Sequence, residues 1–487
     1  MSAPNILELT LNEILHFINP LGEDWETRTR IIDELRNVVS TIESLRGATV
    51  EPFGSFLSQL YTRWGDLDIS IELSNGSYIS TAAKKHKQTL LGEVLKALRR
   101  TGGFRRLQFV QHARVPILKL ESRYQNISCD ISINNLSGQM KSKFLLWISI
   151  IDRRFRDMVL LVKEWAKAND INNPKTGTLN SYSLSLLVVF HFQTCVPAIL
   201  PPLRDIYPGN MADELIGVRA DIERRIEEIS AANIATFMKE RRINHSSVSE
   251  LFTSFLAKFS SINIRAADQG ICTYTGQWED ISTNTRWQPR TYAIFIEDPF
   301  EQPENAARAV NSNQLTRIAE AFTNTYLRLT ARNQTRNSLI PSLVRRELSR
   351  FFPGVAFRNG VANVGAYSWT NQHIHRGNHS QFQTQLQRTR QVNHSDNMTI
   401  QTPVQGYGGQ TQTFNQQFSK GKPGSQPNKM RRGGPQATQG PQQLRSTPQV
   451  KPQVPHSLVQ GQANNVGSQR SVQESQGQVQ RVWRPKQ

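Results

Sequence analysis

The chain has 487 residues, 37% of them hydrophobic, so it can bury a core, and its length is that of two or three domains. Its net charge of +19 is uneven: residues 354–487 hold 15 Lys and Arg against two acids, a net +13, leaving +6 for residues 1–353. A basic tail on a nearly balanced body points to a polyanionic partner, and the longest apolar run, near Leu184–Phe192, is too short to span a bilayer.

The first residues carry early acids and no basic stretch, so no secretory signal is expected there, and the protein is expected to be soluble. Ile14, Ile18, Ile31, Ile32 and Leu35 fit early amphipathic helices. Five β-like runs follow, Ala48–Pro52, Leu67–Leu73, Leu107–Gln111, Pro116–Leu120 and Ile127–Ile133, with a helix expected over Lys84–Arg100 and closed by Gly102-Gly103. From Lys141 the apolar period becomes helical, with further helices around Ser183–Phe192, Asp213–Ala231, Val248–Phe259 and Gln314–Leu329. Beyond Pro353 the composition turns to Gln, Asn, Gly, Ser and Pro. Such a stretch cannot bury enough apolar surface to offset the entropy of ordering, so it is expected to be disordered. Cys129, Cys195 and Cys272 fit no metal-binding spacing and are expected to be reduced thiols.

The chemistry concentrates in Gly54-Ser55 followed by Gly65-Asp66-Leu67-Asp68-Ile69-Ser70-Ile71. Residues two apart in a strand share a face, so Asp66 and Asp68 project together while Leu67, Ile69 and Ile71 point into the core. Two adjacent carboxylates repel, and divalent cations are the natural compensation. Gly54 permits close backbone approach, and Ser55 offers a hydroxyl where a helix is expected to begin, an arrangement suited to a triphosphate. Taken alone, an Asp-x-Asp pair is more simply a solvated turn. A third acid, Asp130, in the strand Ile127–Ile133 changes that balance, because a buried acid there needs a partner. Pairing the two strands would bring Asp130 to the others, where it could serve as base for an attacking hydroxyl.

These motifs, with ARVPILK (Ala113–Lys119), CDISINN (Cys129–Asn135), VLLVKEWAK (Val159–Lys167), LNSYSL (Leu179–Leu184) and IEDPFE (Ile296–Glu301), resemble the noncanonical poly(A) polymerases and terminal uridylyltransferases of the DNA polymerase β-like nucleotidyltransferase superfamily. Within them the chain is most similar to the plant small-RNA uridylyltransferases of HESO type, over roughly Asn12–Phe352. The resemblance implies an α+β fold: a nucleotidyltransferase palm with N-terminal helices over 1–140, a helical PAP-associated-type domain over 141–353, and a disordered tail over 354–487. It implies that Asp66, Asp68 and Asp130 are catalytic and bind Mg²⁺ or Mn²⁺, and that Gly54, Ser55 and Ser181 contact the triphosphate. Lys163 and Lys167, four apart on one helix face, would neutralise its β and γ phosphates; from spacing alone they could be a solvated face. Asn135 would read the ribose 2′-hydroxyl, and Tyr182 would stack on the base with Asn180 capping its helix.

Two positions depart from the family pattern. An asparagine that reaches uracil falls at Lys141, and a histidine that discriminates uracil from adenine falls at Glu304. Lys141 could donate to a uracil carbonyl, while Asp298, Glu301 or Glu304 could accept from N3–H. The implied reaction is uridine addition from UTP to RNA 3′ ends, on small RNAs or cleavage fragments presented by an Argonaute protein. The implied location is the cytoplasm, including RNA granules, and the nucleus. An adenylating enzyme on the same core and an inactive RNA-binding scaffold are the alternatives.

Overall fold

The structure, a computed structural model, describes residues 5–73, 84–124, 126–215, 217–288 and 291–356. The tail expected to be disordered lies outside the described residues from 357 onward. Two amphipathic helices lead: α1 (Ile6–Ile18), capped by the Asn5 side chain, and α2 (Gly22–Ser40). Then come β1 (Thr49–Phe53), the short α3 (Gly54–Leu57), β2 (Leu67–Glu72), α4 (Lys84–Thr101), β3 (Phe104–Val110), β4 (Ile117–Ser122) and β5 (Ser128–Ile133).

The five strands form one sheet in the order β1-β2-β5-β4-β3, with β2 and β5 parallel and the other pairs antiparallel. Strand alternation divides its faces. Leu67, Ile69, Ile71, Cys129, Ile131, Ile133, Leu118 and Leu120 are buried with Ile31, Ile32 and Leu35 of α2 and Leu90, Leu91, Val94 and Leu98 of α4. Each fully buried Leu or Ile contributes roughly 1.5–3 kcal/mol relative to exposure, so register is tightly specified. The opposite face is thereby free for polar groups.

The helical body comprises α5 (Leu136–Ile151), α6 (Arg153–Ala168), α7 (Ser181–Gln193), α8 (Leu203–Ile206), α9 (Met211–Glu214), α10 (Arg219–Glu240), α11 (Val248–Phe259), α12 (Ile262–Arg265), α13 (Ser312–Leu329) and α14 (Arg336–Leu343), with a small hairpin of β6 (Gln269–Cys272) and β7 (Gln277–Asp280). Its core joins Phe155, Met158, Val162 and Trp165 to Leu187, Phe190, Phe255, Phe259 and Phe322. Leu7, Leu11, Ile14 and Ile18 of α1 belong to this core, although the sequence grouped that helix with the palm. Residue 140 falls inside α5, which runs from the sheet into the helical body.

Two element expectations are corrected. The helix expected over Asp213–Ala231 is interrupted between α9 and α10, where Gly217 has a φ of 114°. Strand β3 starts three residues earlier than its apolar pattern indicated, because Arg105 and Arg106 hide it and a register shift falls between Arg105 and Gln108. The three cysteines are free thiols.

Candidate active site

Parallel pairing of β2 with β5 sets Asp68 opposite Asp130, and β4 sets Lys119 opposite Asp130 on the other side. Asp66 lies just before β2, open to solvent, while Asp68 and Asp130 are half-buried. Burial raises the Asp68 carboxyl from 3.8 to about 7, with Asp130 and Asp66 adding like-charge repulsion. Asp66 is raised too, first by the surrounding protein despite its open side chain, then by Asp130. Burial is the larger cause in both, and the added repulsion from Asp130 places the three acids in one electrostatic group.

Gly54 closes one wall. Its φ of 66° suits glycine, and a Cβ there would lie 2.0 Å from Asp68 Oδ2. Its N–H donates to Ser142 Oγ at 2.7 Å, tying the start of α3 to α5. Ser55 follows as the second residue of α3.

The loop before Asp66 is held from behind by Arg28. This fully buried side chain donates to Arg63 O at 3.1 Å and Gly65 O at 2.6 Å, and its guanidinium lies 4.7 Å from the Tyr61 ring centroid. Arg28 was missed on sequence. Its signal was position: it occupies the apolar stripe of α2, three and four residues before Ile31 and Ile32.

Across the cleft α6 presents Lys163 and Lys167. Burial and then Lys167 lower the Lys163 ammonium from 10.5 to about 7, with Asp68 opposing; its Nζ donates to Leu60 O at 2.9 Å. Lys167 is also lowered, by burial and then by Arg345, with Glu164 and Asp66 opposing. Repelling acids therefore face repelling cations, and a metal-bound triphosphate would relieve both.

A second wall gathers Lys141, Tyr182, Asp298, Glu301 and Glu304. Lys141 Nζ pairs with Asp298 at 2.5 Å and Glu301 at 3.1 Å, and lies 5.4 Å from the Tyr182 ring centroid. Tyr182 donates its hydroxyl to Asp298 at 3.1 Å. Burial would raise the Glu301 carboxyl, but Lys141, Ser137 and Arg114 outweigh it and hold it at about 2. Arg114 also reaches Glu304 at 3.8 Å. Thus both departures from the family pattern share one ionic network. Asn135 caps α5 by accepting from Gly138 N at 3.2 Å, and its side-chain nitrogen makes no hydrogen bond among the described residues. Asn180 caps α7, as expected, and Ser181 opens that helix at the surface.

The carboxylates fit a hard divalent cation. All are oxygen donors, and Asp130 Oδ1 is buried without a hydrogen-bond partner. Among the described residues no three His, Cys, Asp or Glu side chains close into a ready ligand set. Asp130 instead pairs through Oδ2 with Lys119.

This geometry has known counterparts. The central palm domain of the mitochondrial-like poly(A) RNA polymerases matches residues 7–149. Protein HESO1 of Arabidopsis thaliana is 51% identical over 466 residues, 90% of this chain and 91% of its own length. The chain belongs to the HESO1 family of DNA polymerase β-like nucleotidyltransferases. Terminal uridylyltransferase cid1 of Schizosaccharomyces pombe is 27% identical over 328 residues, 64% of this chain and 75% of its own. The solved structure of a cytoplasmic RNA terminal U-transferase superposes with a TM-score of 0.54 at 25% identity, over 68% of this chain and 97% of that one. No helix among the described residues of this HESO1-family chain is long and apolar enough to cross a membrane.

Proposed function

We infer that this chain is a terminal RNA uridylyltransferase that tails small RNAs, transferring UMP from UTP to an RNA 3′-hydroxyl. The new bond joins the 3′ oxygen to the α-phosphorus, and diphosphate leaves. The observation that carries nucleotidyl transfer is the register of Asp68 against Asp130, which sets two carboxylates side by side where a shared divalent cation would offset their repulsion. Membership of the HESO1 family, at 51% identity, supports uridine addition and small RNAs as substrates.

The mechanism depends on divalent metal ions, for which we propose Mg²⁺ or Mn²⁺ held by Asp66, Asp68 and Asp130. When bound they supply charge neutralisation and an activated hydroxyl, as two-metal phosphoryl transfer requires. Asp130 accepts the proton of the attacking hydroxyl. Gly54 lets the backbone approach the triphosphate, with Ser55 and Ser181 donating to it. Lys163 and Lys167 neutralise the β and γ phosphates, and the incoming negative charge restores the full ionisation that burial opposes. Asn135 reads the ribose 2′-hydroxyl with its amide nitrogen, its oxygen being engaged in capping α5. Tyr182 stacks on the base, while Lys141 shares its ammonium with a uracil carbonyl and Asp298, Glu301 or Glu304 accepts from N3–H. We further propose that an Argonaute protein presents the RNA, in cytoplasm, RNA granules and nucleus.

Purified protein incubated with an RNA oligonucleotide, Mg²⁺ and equal concentrations of the four NTPs tests the reading. Tails should be mainly uridine. Mainly adenosine tails would overturn the base assignment alone; no extension with any NTP would overturn the enzyme.

A further inference from the structure

Lys119 lies within the ARVPILK segment but has no part in the mechanism above. Strand registers set Phe53, Asp68, Asp130, Lys119 and Gln108 in one row across the sheet. Two residues along β4, Glu121 offers an internal comparison. Arg105 and Arg106 fill its two oxygens, as expected of a settled structural ion pair. Asp130 differs: Lys119 takes Oδ2, while Oδ1 is buried and unpartnered. Half of this carboxylate is thus left unsatisfied, in the strand register that also holds Asp68. Lys119 is 33% exposed in its side chain, so its flexible stem can swing the ammonium toward solvent without unfolding the strand.

We propose that Lys119 is a tethered counter-ion that holds the nucleotide-free acid cluster together and competes with the divalent cation for Asp130. The proposal rests on the reading of Asp66, Asp68 and Asp130 as metal ligands. One ammonium cannot neutralise three carboxylates, so the cluster stays receptive to metal, yet Asp130 Oδ2 is released only when a stronger cation arrives. A cation delivered with a triphosphate also brings anionic charge to Lys163 and Lys167, which favours binding of the nucleotide complex over the bare ion. Lys119 is a positioning residue in this scheme.

The test uses the full chain without nucleotide, titrated with Mn²⁺ and followed by the electron paramagnetic resonance of free Mn²⁺. Lys119→Met should bind Mn²⁺ at least fivefold tighter than wild type, whereas Lys119→Arg should stay near wild type. In chelator Lys119→Met should melt at a lower temperature, and Mn²⁺ should raise its melting temperature by more than it raises that of wild type; equal increments would mean that only an ordinary salt bridge was lost. Lys119→Gln replaces the Met variant if that fails to fold. Equal Mn²⁺ affinity in wild type and variant overturns the Lys119 proposal while leaving the metal site standing. Failure of wild type to bind Mn²⁺ beyond free UTP, even with UTP present, would overturn the metal assignment itself.

Discussion

Replacing Asp68 with Asn should abolish nucleotide addition and yet stabilise the metal-free protein near pH 8. The Asp68 carboxyl is raised from 3.8 to about 7, so between those pH values the folded protein keeps a proton that the unfolded chain has lost. This favours folding fully below about pH 4, and the advantage disappears as the pH climbs through 7. A displacement of about three pKa units corresponds to a ceiling of about 4 kcal/mol. Asp66 and Asp130 contribute to that shift and the side chain is only half-buried, which reduces the separable part to about 1–2 kcal/mol. Asn keeps the shape and removes the charge beside Gly54 and Asp130. Urea unfolding in chelator at pH 4.5 and pH 8 reads the effect as a difference between wild type and variant, cancelling other titrating groups. Wild type should lose about 1–2 kcal/mol more than Asp68→Asn across that interval, and Mn²⁺ should recover the loss in wild type alone. Equal pH dependence in the two proteins would refute the view that Asp68 stores repulsion for a metal to relieve.

Gly54→Ala places a methyl 2.0 Å from Asp68 Oδ2 on a left-handed backbone, so kcat should fall by about two orders of magnitude or more with the fold retained by circular dichroism; wild-type turnover would contradict the packed wall. Lys163→Ala and Lys167→Ala should each raise KM for UTP and lower kcat, by roughly tenfold overall, in steady-state assays, and unchanged kinetics in both would make them a solvated helix face. Deleting residues 354–487 removes a net +13, so RNA affinity should weaken, and the difference should shrink as salt rises, while turnover at saturating RNA stays close to wild type.

The sheet and its acids were legible because strand alternation is a strong local signal. Leu67, Ile69 and Ile71 had to face one way, so Asp68 had to face the other, and Cys129-Asp130-Ile131 repeats the same pattern. What brought Asp68 opposite Asp130 is a parallel pairing across about sixty residues of chain, which alternation permits but does not specify. Lys119 was invisible for the same reason, since its role depends on β4 lying beside β5. The Lys141 network was half legible: its residues were named, but the salt bridges to Asp298 and Glu301 join positions 157 and 160 residues apart. The hairpin of β6 and β7 went unread because four-residue strands are too short for a period to show.

Asp68 and Asp130 come from the sheet and Asp66 from its edge, whereas Lys163 and Lys167 come from α6 and Asp298–Glu304 from a loop beyond the β6–β7 hairpin. Each group is internally unfavourable: beyond the cost of burial, Asp130 raises Asp66 and Asp68, and Lys167 lowers Lys163. A metal-bound nucleoside triphosphate has cations for the first group and anions for the second, so it lowers the energy of both only when it touches both at once. Either half alone leaves a repulsion unrelieved. In the proposed mechanism base choice is electrically separate, because Lys141 pairs with Asp298 and Glu301 rather than with Asp66, Asp68 or Asp130. Under that mechanism the residues proposed to contact the base, Lys141 and Glu304 among them, can depart from the family pattern without disturbing the charges proposed to perform the transfer.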